Sequence, residues 1–278
     1  MNERIFSILK NFKLGENIIS IKVFGNGHIN QTYLIETDND KYILQRINDY
    51  AFKDVDLLMN NMRIVTSFIK NKGEETIDII LSRDELPYVK DNNNYYRLYR
   101  FIPNSITYES VGDDLSLASS LGTAFGRFHN LLNDLDPSLI KEVIIDFHNT
   151  PKRFRDFSNS YVSSDDIKRM KAKKEIEYIL DHHNTYGEII NGIKNKKINL
   201  HITHNDPKIN NVLFDKNDNR IRAIIDLDTV MPGSVLYDVG DSFRSLFTGE
   251  NEDNQDTSLL KINIPIFKAY ISSYWVWK

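Results

Sequence analysis

Leu200 to Asp228 reads LHITHNDPKINNVLFDKNDNRIRAIIDLD, and this stretch decides how the rest of the chain is read. A short apolar approach leads into a polar loop. Two β-branched runs follow, separated by Asp215-Lys216-Asn217-Asp218-Asn219, a cluster of turn formers, and the pattern predicts a β-hairpin. Asn211 precedes the first run and Asp226 closes the second, so antiparallel pairing about the turn returns both to the same end. Asp206 lies upstream, in the loop that feeds this end. Carboxylate and amide oxygens suit a hard cation such as Mg²⁺, which keeps waters and completes its shell with phosphate oxygens. Asp and Asn in loops commonly serve turns alone; the two fragments at hairpin spacing are what make a site of them.

The order His204-Asn205-Asp206-Pro207-Lys208-Ile209-Asn210-Asn211 resembles the catalytic loop of the protein-kinase-like superfamily, and Ile225-Asp226-Leu227-Asp228 resembles its second metal-binding element. HNDPKINNVLFD (204–215) followed by IDLDTVMPGSVLYDVGDSFR (225–244) resembles the aminoglycoside-phosphotransferase-like branch, and within it the N-acetylhexosamine 1-kinases. The resemblance implies an α+β, bilobal protein-kinase-like fold. Residues 1–102 would form a small antiparallel-sheet lobe that binds nucleotide, and 103–278 a mainly helical catalytic lobe, shortened at its C-terminal end. It also implies ATP and Mg²⁺ as cofactors and a small-molecule sugar as acceptor, phosphorylated at the anomeric hydroxyl, within carbohydrate metabolism. Asp206 would accept or orient the acceptor proton, and Lys208 would neutralise the transferring phosphoryl group. Asn211 and Asp226 would hold the metal, with Asp228 either a second ligand or a substrate group. His204 would brace the loop. Choline, homoserine and aminoglycoside kinases share the superfold, and a nucleotide-binding pseudokinase is the reading from a different class.

Composition agrees with a folded enzyme: of 278 residues, 41% are hydrophobic and 27% charged, with a net charge of −4. The basic residues are scattered, which argues against nucleic-acid or membrane-surface partners. The chain has no cysteine, which excludes disulfides and thiolate chemistry and fits a cytoplasmic location. No secretory signal opens the sequence, and no apolar run reaches the roughly 18 residues of a spanning helix.

Upstream, residues 4–12 carry a short helical pattern, and strands are expected at 18–24, 32–36 and 41–47. Gly25 and Gly27 between the first two would let backbone amides approach a phosphate, or form an ordinary hairpin turn; Asn30 stands where a protein kinase has its third glycine. On the third strand Arg46 is the phosphate cation expected from the resemblance, with Gln45 facing the site if the register differs by one. A helix over 52–69 should pack on the sheet. No Glu lies between Glu36 and Glu74, so either Asp56 or an Asn replaces the helix carboxylate that pairs with the strand cation, or that pairing is absent. Further strands at 76–81, 87–90 and 95–102 would complete a five-stranded lobe, with Arg100, Phe101 and Ile102 as the hinge whose backbone meets adenine. Asp113 or Asp114 should cap a helix in which His129 is a core residue, followed by a loop to about Arg155 and a long helix from Ser163 to His182. Asp238 should anchor the catalytic segment. After a solvated loop at 247–256, Ile264 opens a helix, and Trp275 and Trp277 should pack on themselves or on a partner.

Overall fold

The computed structural model describes residues 2–15, 17–25, 31–247 and 262–277. Helix α1 (Asn2–Leu9) leads into an antiparallel meander of β1 (Ile18–Val23), β2 (Gln31–Thr37) and β3 (Lys41–Ile47). Alternation along the strands puts Tyr33, Ile35, Tyr42 and Leu44 on one face, where Ile5, Ile8, Leu9 and Phe12 cover them. Each such buried side chain is worth about 1.5–3 kcal/mol. Helix α2 (Val55–Asn71) begins where the Asp54 carboxylate accepts the Leu57 N–H at 2.9 Å, and it buries Leu58, Met59, Met62, Val65 and Ile69 along one stripe.

Strands β4 (Asp78–Ile80), β5 (Val89–Asp91) and β6 (Asn94–Arg100) bring the sheet to six strands rather than five. The six strands match the six expected stretches one for one, and β6 has two partners end to end: β5 opposes Asn94 to Tyr96, and β4 opposes Leu98 to Arg100. Strand β7 (Ser105–Ile106) and helix α3 (Leu115–Leu131) follow, with the Asp114 carboxylate accepting from the Ser116 and Leu117 amides.

Residues 144–200 form a compact unit of their own, containing α4 (Thr150–Ser163), α5 (Asp166–Lys171), α6 (Lys173–Asp181) and α7 (Glu188–Lys194). The expected loop up to Arg155 is instead helical from Thr150. Asn149 caps that helix by accepting the Lys152 N–H at 3.0 Å, and Pro151 sits in the first turn, where its missing N–H costs nothing. The long helix expected from Ser163 to His182 is broken at Ala172, whose φ of −101° and ψ of 21° leave the helical region.

The other unit comprises 1–143 and 201–278. Its second half holds β8 (His201–Thr203), β9 (Val212–Asp215), β10 (Ile221–Ile224), β11 (Met231–Gly233), α8 (Val235–Phe247) and α9 (Ile264–Trp275). Strands β9 and β10 form the hairpin and extend to β7; β11 pairs with β8. Helices α3 and α9 touch backbone to backbone, because a Cβ at Gly122 would lie 2.1 Å from the Tyr270 carbonyl oxygen and one at Gly126 would lie 2.6 Å from that of Tyr274. Phe125, Val212, Phe214, Tyr270 and Tyr274 fill the core beneath the hairpin. Trp277 lies beneath the Arg127 guanidinium at 5.3 Å, whereas Trp275 is 60% exposed. The solvated loop expected at 247–256 lies, from 248 onward, outside the described residues.

Candidate active site

Strand pairing sets Val212 opposite Ile224, and one step further the Ile225 N–H donates to the Asn211 carbonyl at 2.9 Å. Asp226 is therefore held beside Asn211. The Asn211 amide nitrogen donates to the Asp206 backbone carbonyl at 2.8 Å and to its carboxylate at 3.1 Å. With the NH₂ group so used, the Asn211 side-chain oxygen remains as an acceptor. The Lys208 ammonium stands 3.1 Å from the other Asp206 oxygen, and both side chains are about a quarter exposed, at 26% each. Asp206, Lys208, Asn211 and Asp226 thus share one end of the hairpin.

Asp226 adopts a left-handed backbone with φ of 58°, as does Asn205 with φ of 67°, and Asp and Asn tolerate this region better than most side chains. Asp226 is exposed to solvent although protein atoms crowd around it. Its carboxyl is raised above the usual range by poor hydration and then by the negative charge of Asp228, with Arg97 opposing. A cation delivered there would relieve that repulsion. Among the described residues no group of three or more His, Asp or Glu side chains is arranged to hold a metal by itself. A donor set of one carboxylate and one amide fits Mg²⁺ bound together with phosphate oxygens and water.

Asp228 points elsewhere. Its carboxylate pairs with both terminal nitrogens of Arg97 on β6, and the two side chains are 4% and 2% exposed. This ion pair replaces the second metal ligand that the sequence left open for Asp228. The Arg97 Nε and one terminal nitrogen also donate to the Gln45 oxygen at 2.9 and 2.6 Å, and the other nitrogen meets the Met62 sulfur at 3.2 Å. Gln45 and Arg97 therefore share the sheet face that looks toward the hairpin. Arg46, one residue on, turns to the opposite face beside Tyr96, where its Nε is buried without a hydrogen-bond partner. The period of two along a strand corrects the expectation for Arg46: the cation on the inner face is Arg97. An arginine within the otherwise aromatic and apolar run Tyr95-Tyr96-Arg97-Leu98-Tyr99 was the signal for it.

The α2 group that meets Arg97 is the Met62 sulfur rather than a carboxylate, and Asn61, 1% exposed, bonds backbone groups instead. Its amide donates to the carbonyls of Lys141 at 2.7 Å and Val230 at 3.2 Å, and its oxygen accepts the Lys141 N–H at 3.2 Å. Asp56 instead accepts the Tyr88 hydroxyl at 2.6 Å.

In the segment expected as a hinge, the Phe101 N–H donates to the Lys41 carbonyl at 2.9 Å and the Ile102 carbonyl accepts the Ser105 hydroxyl at 2.6 Å. An adenine would have to use the other backbone groups of this segment. The Arg100 side chain lies over the Tyr42 ring and pairs with Asp40. Phe101 meets Phe24 edge to face at 6.2 Å, next to Gly25, whose φ of 74° favours glycine. Gly27 lies outside the described residues.

His204 is fully buried against Phe125 and Phe128. Its Nε2 donates to the Ile225 carbonyl at 3.0 Å, which leaves Nδ1 to accept the Asp206 N–H at 3.3 Å. The ring is spent on bracing backbone. Asp238 at the start of α8 accepts the amides of His204 and Asn205, each at 2.7 Å.

The sequence matches the model of the phosphotransferase enzyme family over residues 20–265. Solved structures share its fold at low identity. A spectinomycin phosphotransferase in complex with ADP and spectinomycin is 16% identical with a TM-score of 0.57, over 96% of this chain and 83% of that one. An aminoglycoside phosphotransferase from Alicyclobacillus acidocaldarius is 14% identical with a TM-score of 0.62, over 96% and 77%. A microcompartment-associated aminopropanol kinase is 14% identical with a TM-score of 0.60, over 100% and 86%. The fold is protein-kinase-like and α+β, and the chain belongs to the phosphotransferase enzyme family.

Proposed function

We propose that this phosphotransferase moves the γ-phosphoryl group of ATP to a hydroxyl of a small molecule, and that the acceptor is the anomeric hydroxyl of an N-acetylhexosamine. The observation that carries the reaction is the convergence of Asp206, Lys208, Asn211 and Asp226 at one hairpin end, locked by the Ile225 to Asn211 hydrogen bond at 2.9 Å. Phosphoryl transfer asks for alignment and charge compensation more than covalent chemistry. Asp206 orients the acceptor hydroxyl and takes its proton. Lys208, beside it, balances charge on the transferring group. Asn211 and Asp226 would hold Mg²⁺, which would supply charge neutralisation for the phosphates. Residues 1–102 would form the nucleotide-binding lobe and 103–278 the catalytic lobe. The choice of a sugar rests on the run Asp228 to Ser234 (DTVMPGS), which resembles the hexosamine branch.

A second reading, nucleotide binding without transfer, draws on Arg97, whose guanidinium is wholly engaged by Asp228 and Gln45. An acceptor screen with N-acetylglucosamine, N-acetylgalactosamine, choline and an aminoglycoside, read by ³¹P NMR, separates the two. Phosphate on an anomeric carbon supports the proposal. Turnover of choline alone would remove the sugar, and binding of Mg-ATP with no turnover would favour the second reading.

A further inference from the structure

We infer that His129 on α3 and Tyr274 on α9 are positioning residues for the catalytic loop, acting through Asp238; the inference rests on the reading of Asp206 given above. The geometry is a single directed chain. The Asp238 Oδ1 accepts the Asn205 N–H at 2.7 Å, and its Oδ2 accepts both the His204 N–H and the His129 Nε2–H, each at 2.7 Å. The His129 Nδ1 lies 2.8 Å from the Tyr274 hydroxyl.

Hydrogen-bond roles follow from which groups can donate. Burial alone would raise the Asp238 carboxyl, but the hydrogen bond from His129 and the backbone amides keep it below its usual value, so it is ionised and only accepts. His129 must then carry its proton on Nε2. With that proton on Nε2, Nδ1 is placed to accept from the Tyr274 hydroxyl. Tyr274, Asp238 and His204 are 0% exposed and His129 is 2% exposed, so no water substitutes for a missing partner. A buried polar chain with every member satisfied favours one geometry over its neighbours.

That geometry matters because Asn205, held in the left-handed region, directly precedes Asp206. Two more bonds tie the same turn to the segment after Asp226: Asn205 donates to the Thr229 carbonyl at 2.7 Å, and the Thr229 hydroxyl donates to that of His204 at 2.7 Å. Tyr274 reaches His129 only because Gly122 and Gly126 let the α9 backbone lie against α3. Helix α9 is therefore joined to the aim of Asp206 by side chains that never touch a substrate.

Tyr274→Phe keeps the ring and removes only the donor. The prediction is that amide exchange at His204 and Asn205, read by NMR, rises about tenfold while the rest of the core holds. Under Mg-ATP with the acceptor found above, kcat should fall about tenfold with the ATP KM within about twofold, since misplacement of a reacting group acts on the transition state. His129→Gln should fall further, and Val276→Ala, at an exposed position on the same end of the chain, should match wild type. In the unaltered protein, ¹⁵N shifts should report the Nε2–H tautomer for His129. The Nδ1–H tautomer, or wild-type amide exchange at His204 and Asn205 in both variants, would overturn the relay. A wild-type chain that turns over no acceptor would instead remove the role of Asp206, and the exchange and tautomer results would still decide whether the relay holds the loop.

Discussion

The unit that carries the hairpin and the helical unit of residues 144–200 are stabilised in opposite ways. Around the hairpin the polar side chains are sealed in: Arg97, Asn61, His129, His204, Asp228 and Asp238 are all buried, and each has defined partners. In 144–200 the helices α4, α5 and α6 bury no residue, and α7 buries only Gly192. That unit relies on neighbouring rings, Phe154 on Phe157 at 6.0 Å, Phe157 on Tyr161 at 6.3 Å and Phe154 on His183 at 5.7 Å, all close to parallel. The difference shows where geometry is over-determined. Buried polar networks tolerate one arrangement, whereas half-exposed ring stacks and capped helices tolerate many.

Breaking the sealed region should therefore have the larger consequences. Asp206→Ala should reduce turnover by on the order of 10⁴-fold with the circular dichroism spectrum unchanged, because the proposed general base is removed from a loop whose backbone is held by other groups. Activity within tenfold of wild type would move the base elsewhere.

The Arg97–Asp228 pair comes next. Arg97→Met alone should cost about 3–5 kcal/mol, since it leaves a buried carboxylate unpaired, and Arg97→Met with Asp228→Leu should recover most of that loss. Denaturant unfolding of the three proteins measures it. A double variant no more stable than the single one would mean that the pair is not isolated from its Gln45 and Met62 neighbours.

Asp238 makes a smaller, pH-dependent contribution. Its carboxyl is lower in the folded chain than in the unfolded one, so between the two values the unfolded state binds the extra proton. Stability from this group is fully present above the unfolded value near 3.9 and is lost as pH falls through the folded value. Asp238→Asn should accordingly flatten the acid limb of stability against pH; an unchanged limb would assign acid lability to other carboxylates. The smallest effect is expected in the helical unit, where Tyr161→Ala should cost about 0.5–1.5 kcal/mol and leave kcat at the hairpin site unaltered. A large loss would show that the ring stack is a core after all.

Local pattern determined a good deal of this protein. Turn formers at 215–219 between β-branched runs specified the hairpin, Asp113-Asp114 marked a helix start, and the motif from His204 to Asn211 with Asp226 marked the candidate site, because caps, turns and alternation act over a few residues. Asn149-Thr150-Pro151 was an equally local signal, and the start of α4 could have been read from it. Other features needed the folded chain. Which of Gln45 and Arg46 faces the hairpin depends on strand register, and a slip of one residue reverses it. That Arg97 takes Asp228, that Asn61 ties α2 to the Val230 carbonyl, and that Tyr274 reaches Asp238 through His129 depend on residues 131, 169 and 145 positions from their partners. Such pairings are chosen by which polar groups are buried together, and burial is a property of the packed chain rather than of any stretch of it.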